Sequence, residues 1–187
     1  MAQSHELPGF IAWLDHASEW LGRSLSWLVL AMMLIQFLIV VLRYALSFNS
    51  IPMQESVMYM HATVFMLAAA WTLKHDGHVR VDIFYRVMTP KRKALVDLCG
   101  TLFLLLPVMI FVILSSTGYV SNSWRILEGS PDSGGIPGVF LLKTLIPLFA
   151  GLMVLQALVE ASRHLLVLTG RLAPPENDDD HHVEERL

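Results

Sequence analysis

One cysteine, Cys99, stands among the 187 residues. A lone thiol excludes an intrachain disulfide and any metal cluster held by several cysteines. Charge is scarce too: Asp, Glu, Lys and Arg make up 16% of the chain, against about 25% in an ordinary soluble domain. The charges that remain gather in short stretches between long apolar ones, which is how a bilayer sorts a sequence. There is no basic patch interleaved with aromatics, so no nucleic-acid partner is expected. The chain does not open on a basic segment followed by a short apolar core, so no cleavable signal peptide is expected. Strand patterns, a glycine-rich phosphate loop and a nucleophile–base–acid set are all missing. Enzymatic activity is therefore not expected, and neither is a bound cofactor.

Apolar residues are abundant, at 55%. A bilayer core about 30 Å thick needs roughly 20 apolar residues of helix, and four windows qualify: about 25–46, 56–73, 94–120 and 139–168. Irregular backbone in lipid leaves peptide groups unpaired, so each window must be helical. The sequence thus predicts an all-α integral membrane protein with four transmembrane helices, forming a single membrane domain over 1–172. Residues 9–21 place Phe10, Trp13, Leu14, Ala17, Trp20 and Leu21 at helical spacing, opposite Asp15, Ser18 and Glu19. That pattern predicts an additional N-terminal amphipathic helix lying in the membrane interface. A shorter interfacial helix is expected over 80–88. The tail 173–187 is proline-rich, then acidic, with too little apolar surface to order itself.

Local chemistry marks the boundaries. Asn49, Ser50 and Pro52 make a short turn between the first two windows. Thr89-Pro90 reads as an N-cap followed by proline at the first helical position. Pro107 and Pro147 fall inside the third and fourth windows, where each removes a backbone hydrogen bond and should kink its helix. Orientation follows from Lys and Arg. With the 74–93 connection inside, ten basic residues (Arg23, Lys74, Arg80, Arg86, Lys91, Arg92, Lys93, Arg163, Arg171, Arg186) lie inside and three (Arg43, Arg125, Lys143) outside. Both termini are therefore expected in the cytoplasm.

Chemistry-bearing residues are few. His61 lies in the second window, but the first and third hold no histidine and the fourth only His164, at its inner end. A haem or metal pair is not expected, and a hydrogen bond to a neighbouring helix is the favoured role. His75, Asp76 and His78 cluster after the second window, where Lys74, His75 and Gly77 suit a helix C-terminus better than a metal site. His181 and His182 fall in the acidic tail. Arg43 and Glu55, at the outer ends of the first two helices, form either a salt bridge or two separate contacts with headgroups and water. Lys143, Gln156 and Glu160 in the fourth window either anchor helix ends or bind a partner helix, and Gln36 and Gln156 are candidates for hydrogen bonds between helices.

Taken in order, Arg43-Tyr44, a short turn, Glu55, a second helix, and then Gly77-His78-Val79-Arg80-Val81-Asp82 resemble the small (Q-type) membrane subunit of tripartite ATP-independent periplasmic (TRAP) transporters. The later stretch of Ser123-Trp124, Glu128, Ser130, Gly134-Gly135, Pro137 and Leu142-Lys143 is similar to the third connection in one branch of that family. The resemblance covers roughly residues 20–170. One departure is visible: the family often has a tryptophan and two acidic residues at the start of the second helix, whereas this chain has Pro52-Met53-Gln54-Glu55. The resemblance implies a scaffold subunit of the bacterial inner membrane that binds the large transport subunit. It further implies a periplasmic substrate-binding protein as partner, sodium-driven secondary active uptake of an organic acid, and membrane lipid around the helices. Arg43, Glu55, His78, Arg80, Asp82, Trp124 and Lys143 are the structural and interaction candidates, with Arg80 and Asp82 fixing the cytoplasmic turn. The competing expectation is a membrane anchor subunit of a redox complex, which would need the paired histidines that are lacking.

Overall fold

The computed structural model describes residues 9–75, 77–78, 85 and 87–172. These residues form four long helices with no strand among them: α1 (Gly9–Leu46), α2 (Ile51–Lys74), α3 (Pro90–Arg125) and α4 (Val139–Leu168). All four are long and apolar enough to cross a membrane. At 1.5 Å per residue, the 36-residue α3 is about 54 Å long and the 38-residue α1 slightly longer. Both exceed a hydrocarbon core of about 30 Å, so both project beyond it or tilt within it.

The expected windows and the observed helices agree best for α4, which spans 139–168 in both. The other three are longer than their apolar windows, because helix propensity carries the backbone past the point where hydrophobicity stops. α2 begins at Ile51, next to the helix-starting Pro52. α3 begins at Pro90 with Thr89 in extended conformation before it, as the sequence predicts, although the threonine side chain makes no capping bond. Near Pro107, α3 has a π-helical turn over Thr101–Leu105, in which the Leu106 N–H bonds to the Thr101 carbonyl. Proline has no N–H to continue the ordinary ladder, and a widened turn is one way a helix absorbs it. α4 runs through Pro147 without leaving helical geometry.

The expectation of a separate interfacial helix over 9–21 is corrected. These residues form the first third of one continuous α1, and nothing in Gly22-Arg23-Ser24 stops the helix. Two residues of the expected polar side, Ser18 and Glu19, make contacts within the bundle. Ser18 donates to Gln156 Oε1 on α4 at 3.2 Å, and Glu19 accepts from Trp71 Nε1 on α2 at 3.2 Å. Trp13 and Trp20 remain exposed. The short helix expected over 80–88 and the tail from 173 lie almost wholly outside the described residues. Tyr85, which is described, donates its hydroxyl to Asp97 on α3 at 2.6 Å.

The helices pack in the order α1, α2, α4, α3. α4 is the central element, and its buried positions Ala150, Met153, Ala157 and Ala161 recur at helical spacing. Ala150 and Ala157 are fully buried. Small residues let helix backbones approach closely, which is how helices associate in lipid without a hydrophobic driving force. Ala70 on α2 and Ala94 on α3 do the same on the partner faces. At most 17% of the most apolar stretch of any helix is buried inside the chain. Large apolar side chains such as Phe37, Phe65, Phe103 and Phe111 stay exposed.

Candidate functional site

Polar chemistry concentrates at the two ends of the bundle. One end carries the 47–50 turn and the 126–138 loop and is called here the loop face. The other carries the connection after Lys74.

On the loop face, α3 ends in a Schellman motif: Glu128 N–H bonds to the Ser123 carbonyl at 3.0 Å and Leu127 N–H to the Trp124 carbonyl at 3.3 Å. The motif puts its turning residue in the left-handed region, where Leu127 has φ 46°. α4 ends in the same hydrogen-bond pattern with Gly170 at φ 73°. A side chain in this conformation costs about 1–2 kcal/mol, so Leu127 sits where glycine is easier. The turn brings Glu128 onto α4, where it accepts from Lys143 Nζ at 2.5 Å. The same ammonium lies over the Tyr119 ring, 4.1 Å from its centroid. Beside it, Trp124 donates to Thr144 Oγ1 at 2.8 Å and meets the Phe140 ring edge-on at 4.7 Å.

Lys143 holds the Glu128 carboxyl below its ordinary value of 4.5, against the opposing effect of desolvation. A carboxylate depressed in the folded state contributes stability that is present above its unfolded pKa and lost as pH falls through its folded pKa. Unfolding in detergent should therefore show wild type ahead of Glu128→Gln at neutral pH. That advantage should shrink below about pH 4.5 as the carboxyl protonates. A difference between the two proteins that does not change with pH would refute the assignment.

The loop between Glu128 and α4 is fastened to α2 by Glu55. One carboxylate oxygen accepts the Ser130 hydroxyl and the other accepts the Ile136 N–H at 2.5 Å. The Gly134-Gly135 pair has a separate reason at each position. Gly134 has φ 81°, which glycine adopts at no steric cost. A Cβ on Gly135 would meet the Ser130 side chain and stand 2.7 Å from Glu55 Oε1. Ser130 N–H bonds to the Ile136 carbonyl at 3.1 Å and closes the loop on itself.

Arg43 and Glu55 do not pair, and each finds a partner within the chain that the sequence did not offer. Arg43 donates to Asn49 Oδ1 at 3.1 Å, and Gln54 donates to the same oxygen at 2.6 Å. Glu55 is turned the other way, into the 130–136 loop. The two residues lie twelve apart in sequence but have different partners.

At the opposite end, Glu19 on α1 is the centre. Its carboxylate accepts from Trp71 Nε1, lies 3.6 Å from Lys74 Nζ and 3.4 Å from His75 Nε2, and pairs with Arg23 at 3.2 Å. His75 also bonds to the Trp71 carbonyl at 2.9 Å and packs on the Trp71 ring at 4.2 Å. Gln156 and Arg163 on α4 each bond to Glu160. The ion pairs tie α2 to α1, where an acidic side chain near lipid needs a partner.

Of the candidates named from the sequence, the structure gathers Glu55, Trp124 and Lys143 at the loop face. Arg43 lies on the same face but belongs to the α1–α2 turn. His78 is exposed at the opposite end, while Arg80 and Asp82 lie outside the described residues. The sequence reading missed Glu19, Gly22, Trp71 and Tyr119. A lone glutamate ahead of an apolar run was the available signal for Glu19, but the amphipathic pattern assigned it to water. Among the described residues, no three His, Cys, Asp or Glu side chains are placed to hold a metal ion.

Four long apolar helices fastened at both ends by salt bridges and hydrogen bonds define a multi-pass membrane protein. Over residues 32–167 the chain matches the family described as tripartite ATP-independent periplasmic transporters, DctQ component. The match covers more than half of the chain, which belongs to this family of transporter components. Neither the curated proteins nor the solved structures contain a significant match.

Proposed function

We propose that this chain is the small scaffold subunit of a TRAP transporter, binding the large transport subunit in the bacterial inner membrane with both termini in the cytoplasm. On this reading the large subunit carries the solute, an organic acid delivered by a periplasmic binding protein, in secondary active uptake driven by sodium. Family membership is the observation that carries the reading. The sparse burial of every helix supports it, since helices in lipid associate through close packing and a few polar contacts and these offer much uncovered surface. A solute pathway generally needs broken helices and convergent polar groups at midplane. Here α2 and α4 are unbroken.

Reconstitution into liposomes with an inward sodium gradient and the cognate binding protein tests the proposal. Uptake should require this chain together with the large subunit, and liposomes holding this chain alone should show none. Sodium-dependent uptake by this chain without the large subunit would overturn the scaffold role.

A further inference from the structure

A polar seam runs down the groove between α1 and α2. It starts at the loop face with Arg43, Asn49 and Gln54 and continues to Gln36 and His61, which line the same groove beside Met33 and Met58. The spacing explains the seam: Gln36 and Arg43 are seven residues apart on α1, and Gln54 and His61 are seven apart on α2. Seven residues is close to two helical turns, so each pair shares a face. Gln36 stands ten residues before the end of α1 and His61 ten residues after the start of α2. Both therefore lie about 15 Å from the loop face, near the middle of a hydrocarbon core about 30 Å thick. Both are exposed, and among the described residues neither makes a hydrogen bond, although His61 stacks on Phe65. Gln156 shows the contrast: it is 3% exposed, and its partners Ser18 and Glu160 lie within the chain.

An amide and an imidazole at mid-bilayer depth are costly against lipid tails, which offer no hydrogen bond. At the membrane boundary the exposed Arg43 guanidinium is held only by the neutral Asn49 amide, and no carboxylate among the described residues pairs with it. A second copy of this chain is a poor occupant. Copies inserted in the same direction carry Arg43 at the same depth, so like charges would meet on a shared groove.

We infer that the α1–α2 groove seats a transmembrane helix of the other membrane component of the transporter, one that carries an acidic residue facing Arg43 and a hydrogen-bonding side chain facing Gln36 and His61. This rests on the proposed function, for which it names the docking face and the chemistry of the partner. Gln36 and His61 are then buried only in the assembled complex.

The test is co-expression of the full chain with its tagged large membrane component, followed by affinity purification in mild detergent. Gln36→Leu combined with His61→Leu should reduce the recovered complex by about tenfold or more. The isolated double variant should keep wild-type helix content and elution, because neither group makes a hydrogen bond among the described residues. Arg43→Glu should also reduce recovery. In a Cys99→Ser background, Gln36→Cys should form a disulfide with cysteines scanned along one helix of the large component.

Full recovery with the double variant, while wild type forms the complex, would overturn the docking face but leave the proposed function standing. So would a disulfide linking two copies of this chain through residue 36, or loss of fold in the isolated double variant. Failure of wild type to retain the large component would overturn the proposed function and this inference together.

Discussion

Replacing Gly22 with alanine is expected to destabilise the protein, although the same change in an open helix stabilises. Gly22 lies inside α1, where alanine is favoured over glycine by about 1 kcal/mol. The added Cβ, however, would stand 2.6 Å from Trp71 Cγ and meet the pyrrole side of the indole. Real side chains do not tolerate that approach, so either the ring or α1 must move. The indole is not a flexible end that can swing aside. It donates to Glu19 and is packed by His75, so a displaced ring also disturbs the ion pairs around that carboxylate. Overpacking of this kind costs about 1–3 kcal/mol, which outweighs the gain in propensity. Gly118→Ala is the matched control, since an added Cβ there has nothing within 4 Å and should raise stability slightly. Equilibrium unfolding in detergent should rank Gly118→Ala above wild type and wild type above Gly22→Ala. A Gly22→Ala protein as stable as wild type would mean that α1 and Trp71 are not in close contact.

The same contact shows where the sequence was readable. Four membrane helices could be read from apolar run length alone, because the bilayer imposes a length and forbids irregular backbone. The break at Thr89-Pro90 was readable because proline at a first turn has a fixed geometry. The reading of 9–21 as a separate helix failed for a specific reason. Amphipathic periodicity says that a helix has two unlike faces, but not which medium the polar face meets. Ser18 and Glu19 find Gln156, Trp71, Lys74 and His75 instead of water, and those partners lie more than fifty residues away in sequence.

Partner choice on the loop face was similarly out of reach. Proximity in sequence offered Arg43 as a partner for Glu55 across the short turn, with headgroups and water as the alternative. Helical geometry decides otherwise, because Glu55 lies beside α4 and the loop that leads into it. The Gly134-Gly135 pair was legible as a turn, but its second glycine is needed for the approach of Glu55, which no local pattern shows. The family resemblance placed Ser130, Gly134, Gly135 and Lys143 together in one connection. The structure supplies the physical link, a carboxylate on α2 that gathers the loop.

Removing that carboxylate should have the largest effect on the loop face. In Glu55→Ala the Ser130 hydroxyl and the Ile136 N–H lose their common acceptor. Bonds to a charged acceptor contribute about 1.5–3 kcal/mol each when buried. Glu55 is only partly buried, so the pair together is expected to be worth roughly 2–4 kcal/mol. The loss should be local, because α4 still packs on α2 and α3 through Ala150, Met153 and Ala157. Hydrogen exchange separates the two outcomes. The Ile136 amide should lose most of its protection in Glu55→Ala, while amides in the middle of α4 keep theirs. Gly135→Ala should reproduce the pattern with Glu55 intact, since the new Cβ enters the space between Ser130 and the carboxylate. The Lys143–Glu128 pair anchors the start of the loop independently, so the segment next to Glu128 should respond less than the segment around Ile136. Unchanged protection at Ile136 in both variants would mean that Glu55 does not fasten this loop. Equal loss at Ile136 and throughout α4 would mean that Glu55 supports the whole bundle and not the loop alone.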